Sequence, residues 1–364
     1  MSWAVARARF PVFEHTAYLN AGTFGPLSRT TADAVAQLER REVERGRAGR
    51  DYFEEYMARR DRVRALIAAE AGVDPSKVAL TDSTTQGVQL VVSGLALDPD
   101  DEVVTTDLEH FGLVGPLVAS GARLRVAKLR DLSVAEGFDA IRALVTPRTR
   151  LIALSHIAWL DGRQLPWREL RDATGLPVLV DGAQGVGAVE VDTGDADFYT
   201  ISAQKWLCGP AATGALTVRD PEALPLRLVS YLSQSEYSIA EATFEPKPGA
   251  ARFDPLFTAP TSLAGLEAAL TDLPEGRHAR ARMLCGVFRE ALVDAGHDVV
   301  TEPDQSTLVS WRVPGDAAEW TAGLYERGVV VRDLPGTGLL RASVGWWNDE
   351  SDLERLLEGL RALG

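Results

Sequence analysis

The sequence predicts an α/β fold: a doubly wound, mostly parallel sheet with helices on both faces, followed by a smaller C-terminal α+β domain. Three observations carry this. Short apolar, β-branched runs alternate with helix-like segments from about residue 78 to residue 218. Several of those runs stop at hydroxyl or acidic residues, as buried parallel strands do where ligands gather at their carboxyl ends. After a Pro-rich irregular stretch at 244–262 (FEPKPGAARFDPLFTAPTS), strand-like and helix-like segments recur in a second, shorter set. The expected parts are an N-terminal segment, 1–30, that contributes to both the active site and the small domain, a large domain, 31–245, and a small domain, 246–364.

Composition bounds the class. With 364 residues, 46% hydrophobic and 25% charged, the chain can bury a substantial core. A net charge of −14 argues against nucleic acid or an anionic membrane as partner. Cys208 and Cys285 make no disulfide framework, and the five histidines have no paired spacing, so no metal site is expected. The opening MSWAVARARF lacks a signal-peptide apolar core, and no run approaches the roughly 18–20 apolar residues of a membrane span. A cytoplasmic protein is the expectation.

Taken in order, residues 13–27 read as a short strand and a Gly/Pro turn holding Asn20. Residues 29–70 read as one Arg/Glu-rich helical region with Val35, Leu38, Val63 and Leu66 at helical spacing. The strand at Val78 to Thr81 stops at Asp82-Ser83-Thr84-Thr85, where an amphipathic helix begins. Hydroxyls and free N–H groups there make either an anion site or a plain N-cap. The strand Val103 to Thr106 ends in Asp107-Leu108-Glu109-His110-Phe111. Strands at Leu124 to Leu129 and Leu151 to Leu154 flank a helix from about Val134 to Leu144, and the loop from Ser155 to Gly162 contains Trp159.

The next strand, Leu176 to Asp181, is apolar and ends in an acid. A lone carboxylate at a strand's carboxyl end needs a partner. A protonated pyridine nitrogen would serve, and a helix cap is the alternative. Twenty-four residues on, Lys205 follows another strand and precedes a Gly-Pro turn. It is one of four lysines among 38 basic residues. Lysine supplies what arginine cannot, an amine able to lose its proton. The two together point to a Schiff-base lysine holding pyridoxal phosphate (PLP). Gly214 to Val218 is a further strand. Beyond the Pro-rich stretch come a helical region from Ser262 to about Ala295, a strand Thr307 to Val313, a helix Ala317 to Arg327, strands Val329 to Arg332 and Leu339 to Val344, and a final helix 350–362.

Asp181-Gly182-Ala183-Gln184, Ser202-Ala203-Gln204-Lys205, Gly209-Pro210 and Arg341-Ala342-Ser343 together resemble the class V aminotransferase family of fold-type-I PLP enzymes. That family includes cysteine desulfurases, isopenicillin N epimerase-like proteins, kynureninase-like enzymes and C–S lyases. The resemblance spans nearly the whole chain and implies roles. Lys205 carries the cofactor and moves the Cα proton, and Asp181 keeps the pyridine nitrogen protonated. His110 or the neighbouring Phe111 stacks on the ring, the Glu-His order pointing to His110. Thr84 and Thr85 meet the phosphate, and Ala183, Gln184, Ser202 and Gln204 complete the cofactor site. Arg341 clamps the substrate α-carboxylate, with Asn20 and Trp159 in the substrate pocket. Trp159 stands where desulfurases carry an Asn on the cofactor's 3′-oxygen, which leaves that contact to Gln184. Thr258 or Thr261 would reach the phosphate of a partner subunit in a homodimer. The implied reaction is at Cα of an amino acid through an external aldimine. The segment Val331 to Leu340 is short and has no cysteine, so C–S lyase or desulfurase-like chemistry without a loop cysteine is expected. Transamination and epimerisation are the alternatives within the family, and a non-catalytic PLP-binding module is the alternative outside it.

Overall fold

The computed structural model describes residues 2–364. Its large sheet has seven strands in the order Val78–Thr81, Gly214–Val218, Phe198–Ser202, Val178–Asp181, Thr149–Ser155, Glu102–Thr106 and Arg123–Ala127. Gly214–Val218 runs antiparallel to both neighbours and the other adjacent pairs are parallel. Six strands therefore bring their carboxyl ends to one edge. Every residue of Val178–Asp181 and Phe198–Ser202 is buried, which is why neither run shows the apolar–charged alternation of a half-exposed strand. Ile67, Ile141 and Leu170, from three helices, join the core on one face. Val91 and Leu117, from two others, join the core on the opposite face.

A second sheet, antiparallel throughout, has the order Asp298–Val299, Leu308–Arg312, Leu339–Ser343, Arg332–Leu334. Phe288 and Leu356 bring the helices Arg277–Asp294 and Glu350–Leu363 onto it. The N-terminal segment joins this part of the molecule. Ala17–Tyr18 pairs in parallel with Val329–Val330, and Asn20 bridges to Ser343.

Several expected elements are divided. Residues 29–70 form two helices, Arg29–Arg45 and Arg50–Ala71. The break falls at Gly46 and Gly49, whose φ angles of 77° and 95° suit glycine. The region from Ser262 also splits, into Pro260–Thr271 and Arg277–Asp294, around Pro274 and Gly276. The strand expected to Leu129 stops at Ala127. The single strand expected over Val329 to Arg332 is two, Val329–Val330 and Arg332–Leu334, each with its own partner. The helices Phe111–Ala119 and Trp167–Thr174 and the hairpin Gln234–Ser238/Thr243–Pro246 were not expected. The first is apolar all round and holds Pro116, so it shows no helical period. The hairpin strands are mostly exposed on both faces, so no alternation marks them.

Candidate active site

Thr106, Ser155, Asp181 and Ser202 end adjacent strands, with Ser155 opposite Asp181 and Asp181 opposite Thr200. Just past these ends lies a cavity of about 210 Å³, bordered by His110, Trp159, Asp181, Lys205, Arg332 and Arg341. Asp181 is 3% exposed and accepts hydrogen bonds from the Ala183 N–H at 3.0 Å and the Thr200 hydroxyl at 3.5 Å. The turn after it is shaped by Tyr199. A Cβ on Gly182 or on Gly185 would come within 1.9 Å of the Tyr199 side chain, so glycine is required at both positions. The Tyr199 hydroxyl lies 2.8 Å from Nδ1 of His156, a ring that burial holds neutral, its pKa pushed down to about 3.

Lys205 sits in the turn after Phe198–Ser202. The N-terminal loop presses on that turn. Gly25 donates its N–H to the Gln204 carbonyl at 2.9 Å, and a Cβ on Gly25 would lie 1.9 Å from the Lys205 carbonyl. Burial pushes the Lys205 amine down to about 8, with Asp181 pulling it up and Arg341 and Arg332 pulling it down. Among the described residues, the lysine found in an ion pair is Lys128, with Asp107. The Lys205 side chain borders the cavity, and its amine has no ion-pair partner among the described residues.

His110 caps the Phe111–Ala119 helix, its Nδ1 accepting the Gly112 N–H at 3.0 Å. An accepting Nδ1 means a neutral ring with its proton on Nε2. Burial first, then Lys205, lowers its pKa and keeps it neutral. Phe111, the other aromatic considered, is 81% exposed and borders no part of the cavity. The Trp159 ring meets His110 edge-on, with centroids 5.3 Å apart at 90°. Behind His110, Glu109 accepts bonds from the Ser155 N–H and hydroxyl and from the Thr106 hydroxyl. Burial pushes its pKa up to about 7.

Arg341 is 2% exposed and donates to the Trp159 carbonyl at 2.9 Å, while its Nε has no partner among the described residues. Gln184 borders the cavity with its amide already oriented. Its Oε1 accepts from Trp206 Nε1 at 2.8 Å and its Nε2 donates to the Gly22 carbonyl at 2.9 Å, so one N–H remains available. Ala183 and Gln204 border the cavity too, and the Gln204 side chain accepts the Ala212 N–H. Thr84, Thr85 and Ser202 lie along the same sheet edge but outside this cavity. Thr85 Oγ1 stands 2.7 Å from where a Gly112 Cβ would be, so the starts of the Thr84–Leu95 and Phe111–Ala119 helices converge there. Asn20 is not on the cavity wall. Its side-chain oxygen accepts from the Thr23 hydroxyl, and Gly22, Thr23 and Phe24 form the wall instead. Thr258 is buried with its hydroxyl unpartnered among the described residues, and Thr261 is half-buried.

Arg332 is the charged cavity residue that the sequence did not announce; Thr23, Phe24, Ser155 and Ile157 also line the cavity without having been singled out. Arg332 stands opposite Arg341 on the neighbouring strand. In an arginine-rich chain only the strand register singles it out. No cluster of His, Cys, Asp and Glu suited to a metal ion occurs among the described residues.

These residues fit PLP. They supply a buried amine, an acid at a strand end for the pyridine nitrogen, a neutral aromatic wall and helix N-termini suited to a phosphate. Fold and site together define a fold-type-I PLP-dependent enzyme. The Aminotransferase class-V family matches residues 19–276. Isopenicillin N epimerase of Streptomyces clavuligerus is 31% identical, over 99% of this chain and 98% of its own. A probable cysteine desulfurase of Pseudomonas aeruginosa is 30% identical, over 97% and 96%. A solved structure of a C-DES mutant with glycine covalently linked to its PLP cofactor superposes with a TM-score of 0.92 at 25% identity, over 97% of this chain and 98% of that one. The cystine C–S lyase C-DES in complex with its product cysteine persulfide gives 0.90 at 26% identity, over 96% and 98%. The chain belongs to the class V aminotransferase family.

Proposed function

We propose that the protein is a PLP-dependent lyase that cleaves the C–S bond of a cysteine-derived amino acid. The observation that carries this is the Lys205 amine, its pKa lowered to about 8, on a cavity wall shared with Asp181 and with Arg341, whose Nε has no partner among the described residues. PLP, when bound, supplies an electron sink for a bond broken at Cα. Lys205 would hold it and would take the Cα proton on Nζ, and a proton on that amine could then pass to the sulfur that leaves Cβ. Asp181, a buried acid on the cavity wall, would favour a proton on the pyridine nitrogen. His110, Ala183, Gln184 and Gln204 frame the ring. Thr84, Thr85 and Ser202 meet the phosphate at the helix N-terminus. Arg341 grips the α-carboxylate with its planar fork. Trp159 closes the substrate side and fixes Arg341 through its carbonyl. Asn20 acts indirectly, by shaping the Gly22–Phe24 wall.

The lyase reading rests also on the cysteines. Arg332–Leu334 and Leu339–Ser343 are joined by a tight turn without cysteine. Cys208 and Cys285 are buried, and burial pushes both thiols up, Cys285 to about 12. Neither can serve as a mobile thiolate. Epimerisation is the second reading, favoured by the relative named isopenicillin N epimerase. Transamination, and binding of PLP without turnover, stand behind these. The reading includes a large domain over 31–245, a small one over 246–364, and an N-terminal segment that serves both. It also includes a homodimer and a cytoplasmic location. No helix among the described residues is long and apolar enough to cross a membrane.

The test is a visible spectrum of the purified protein with PLP, before and after L-cysteine and its derivatives. The expected result is a yellow band that substrate shifts, with sulfide or persulfide and pyruvate released. Lys205→Ala should abolish both the band and turnover. A Lys205→Ala protein that kept full turnover would sink the assignment. Racemised substrate without pyruvate would select the epimerase reading.

A further inference from the structure

The proposed chemistry gives no task to Glu109 or Ser155. Ser155 borders the active-site cavity and stands in register opposite Asp181 on the neighbouring strand. Side chains paired in this way lie on one face of the sheet. The Ser155 hydroxyl donates to Oε2 of Glu109 at 2.5 Å, and the Ser155 N–H donates to the same oxygen at 2.8 Å. The other oxygen, Oε1, accepts from the Thr106 hydroxyl at 2.6 Å. That hydroxyl in turn accepts the Leu108 N–H at 3.2 Å. Glu109 thus spans the ends of the strands Glu102–Thr106 and Thr149–Ser155. Its bonds come from hydroxyl and amide donors, and none from a basic side chain among the described residues. Burial, joined by Asp181, pushes its pKa up to about 7 against the pull of the Ser155 and Thr106 bonds. At about pH 8 it is a carboxylate without a cation of its own.

A serine hydroxyl has one proton to give. Ser155 gives it to Glu109, so toward the cavity it offers lone pairs alone. A charged acceptor strengthens that bond and polarises the hydroxyl oxygen beside Asp181. Asp181 accepts both of its hydrogen bonds on Oδ1, which leaves Oδ2 for a further donor. A strand edge that presents only acceptors suits a positively charged N–H and repels a bare lone pair.

We propose that Glu109 is a positioning residue: by holding the Ser155 hydroxyl as an acceptor beside Asp181, it gives the protonated pyridine nitrogen of PLP a second anionic support. This rests on the placing of that nitrogen at Asp181. It does not depend on which bond of the substrate breaks afterwards.

The test compares PLP with deazapyridoxal phosphate, which has carbon in place of the ring nitrogen and keeps the aldehyde and the phosphate. At about pH 8, where Glu109 is ionised, the half-saturating concentration of each for the cofactor-free protein is read from the absorbance change on binding. Glu109→Gln keeps the size of the side chain and removes its charge. It should weaken PLP by about tenfold, the difference between a hydrogen bond to a charged group and one to a neutral group, and leave the analogue unchanged. Ser155→Ala should narrow the advantage of PLP to a similar extent, and Glu109→Gln added to it should narrow it no further. Equal losses for PLP and the analogue in Glu109→Gln would overturn the inference, because a merely structural role weakens both. An undiminished effect of Glu109→Gln in the Ser155→Ala protein would overturn it too. Asp181→Asn tests the reading beneath it: if that change also weakens both compounds equally, the nitrogen is not at Asp181 and the inference falls with that placing.

Discussion

At the residue scale, two buried ionisable groups set the pH behaviour. Lys205 must be neutral to attach to an aldehyde, and its pKa is lowered to about 8. Uptake of PLP by the cofactor-free protein should therefore accelerate as pH rises through about 8 and then level off. Asp181 raises that pKa, so Asp181→Asn should move the midpoint downward. Stopped-flow absorbance at a series of pH values checks both, and an unmoved midpoint would show that the two groups are not coupled. Glu109 behaves in the opposite sense. Its pKa is raised from 4.5 to about 7, so folding takes up a proton between those values. Its favourable contribution is complete below about pH 4.5 and is lost as pH rises toward 7. The difference amounts to about 3 kcal/mol at most. Glu109→Gln, which cannot ionise, should gain thermal stability relative to the wild-type protein as pH goes from about 5 to about 8. Parallel melting curves at both pH values would contradict the buried-acid assignment.

At the scale of elements, the active site depends on a close approach of two loops. The chain around Gly25 lies on the Lys205 turn so tightly that a methyl group would meet the Lys205 carbonyl. Gly25→Ala must push the two loops apart, since backbone is not a neighbour that can rotate away. A shift of about 1 Å at a catalytic group can lower kcat about a hundredfold. Gly25→Ala should accordingly lose kcat on that order while keeping near-native far-UV circular dichroism, whereas retained kcat would mean that the loops can separate freely. How much of this was legible follows from chemistry that is local in sequence. Lys205, Asp181, His110 and Arg341 sit at strand ends or on a strand with distinctive neighbours, and the central parallel strands are mostly buried and rich in apolar residues. Those features survive in one dimension. The Gly46–Gly49 break was visible only as two glycines in a charged helical pattern. The pairing that sets Arg332 against Arg341 depends on strand register, which no local pattern fixes. Asn20 lies off the cavity wall for a related reason. The loop does reach the site, but backbone geometry gives the wall to Gly22, Thr23 and Phe24.

At the scale of the whole molecule, one element is unfinished. The hairpin Gln234–Ser238/Thr243–Pro246 is a sheet of two strands that pairs with no other strand among the described residues. A lone two-stranded ribbon is marginal in water unless something covers it. It is also apolar where soluble surfaces are not. Ile239 is 82% exposed, and Phe244 stands opposite Tyr237, whose ring lies 6.3 Å from Tyr231. Clustered exposed aromatic and aliphatic side chains mark an interaction surface. A second copy of the chain is the occupant the family resemblance implies. Sedimentation equilibrium should then give a mass near twice 39.3 kDa at micromolar concentration. The double change Ile239→Asp and Phe244→Asp buries charge in the contact, so it should weaken association by at least about a hundredfold, at a cost of roughly 3 kcal/mol. If Thr258 or Thr261 also completes the partner's phosphate site, PLP affinity should fall as dimerisation is lost and return at high protein concentration. A wild-type protein that sediments at 39.3 kDa with full PLP occupancy would exclude both the contact and the shared site. A double variant that stays dimeric would move the interface away from this hairpin.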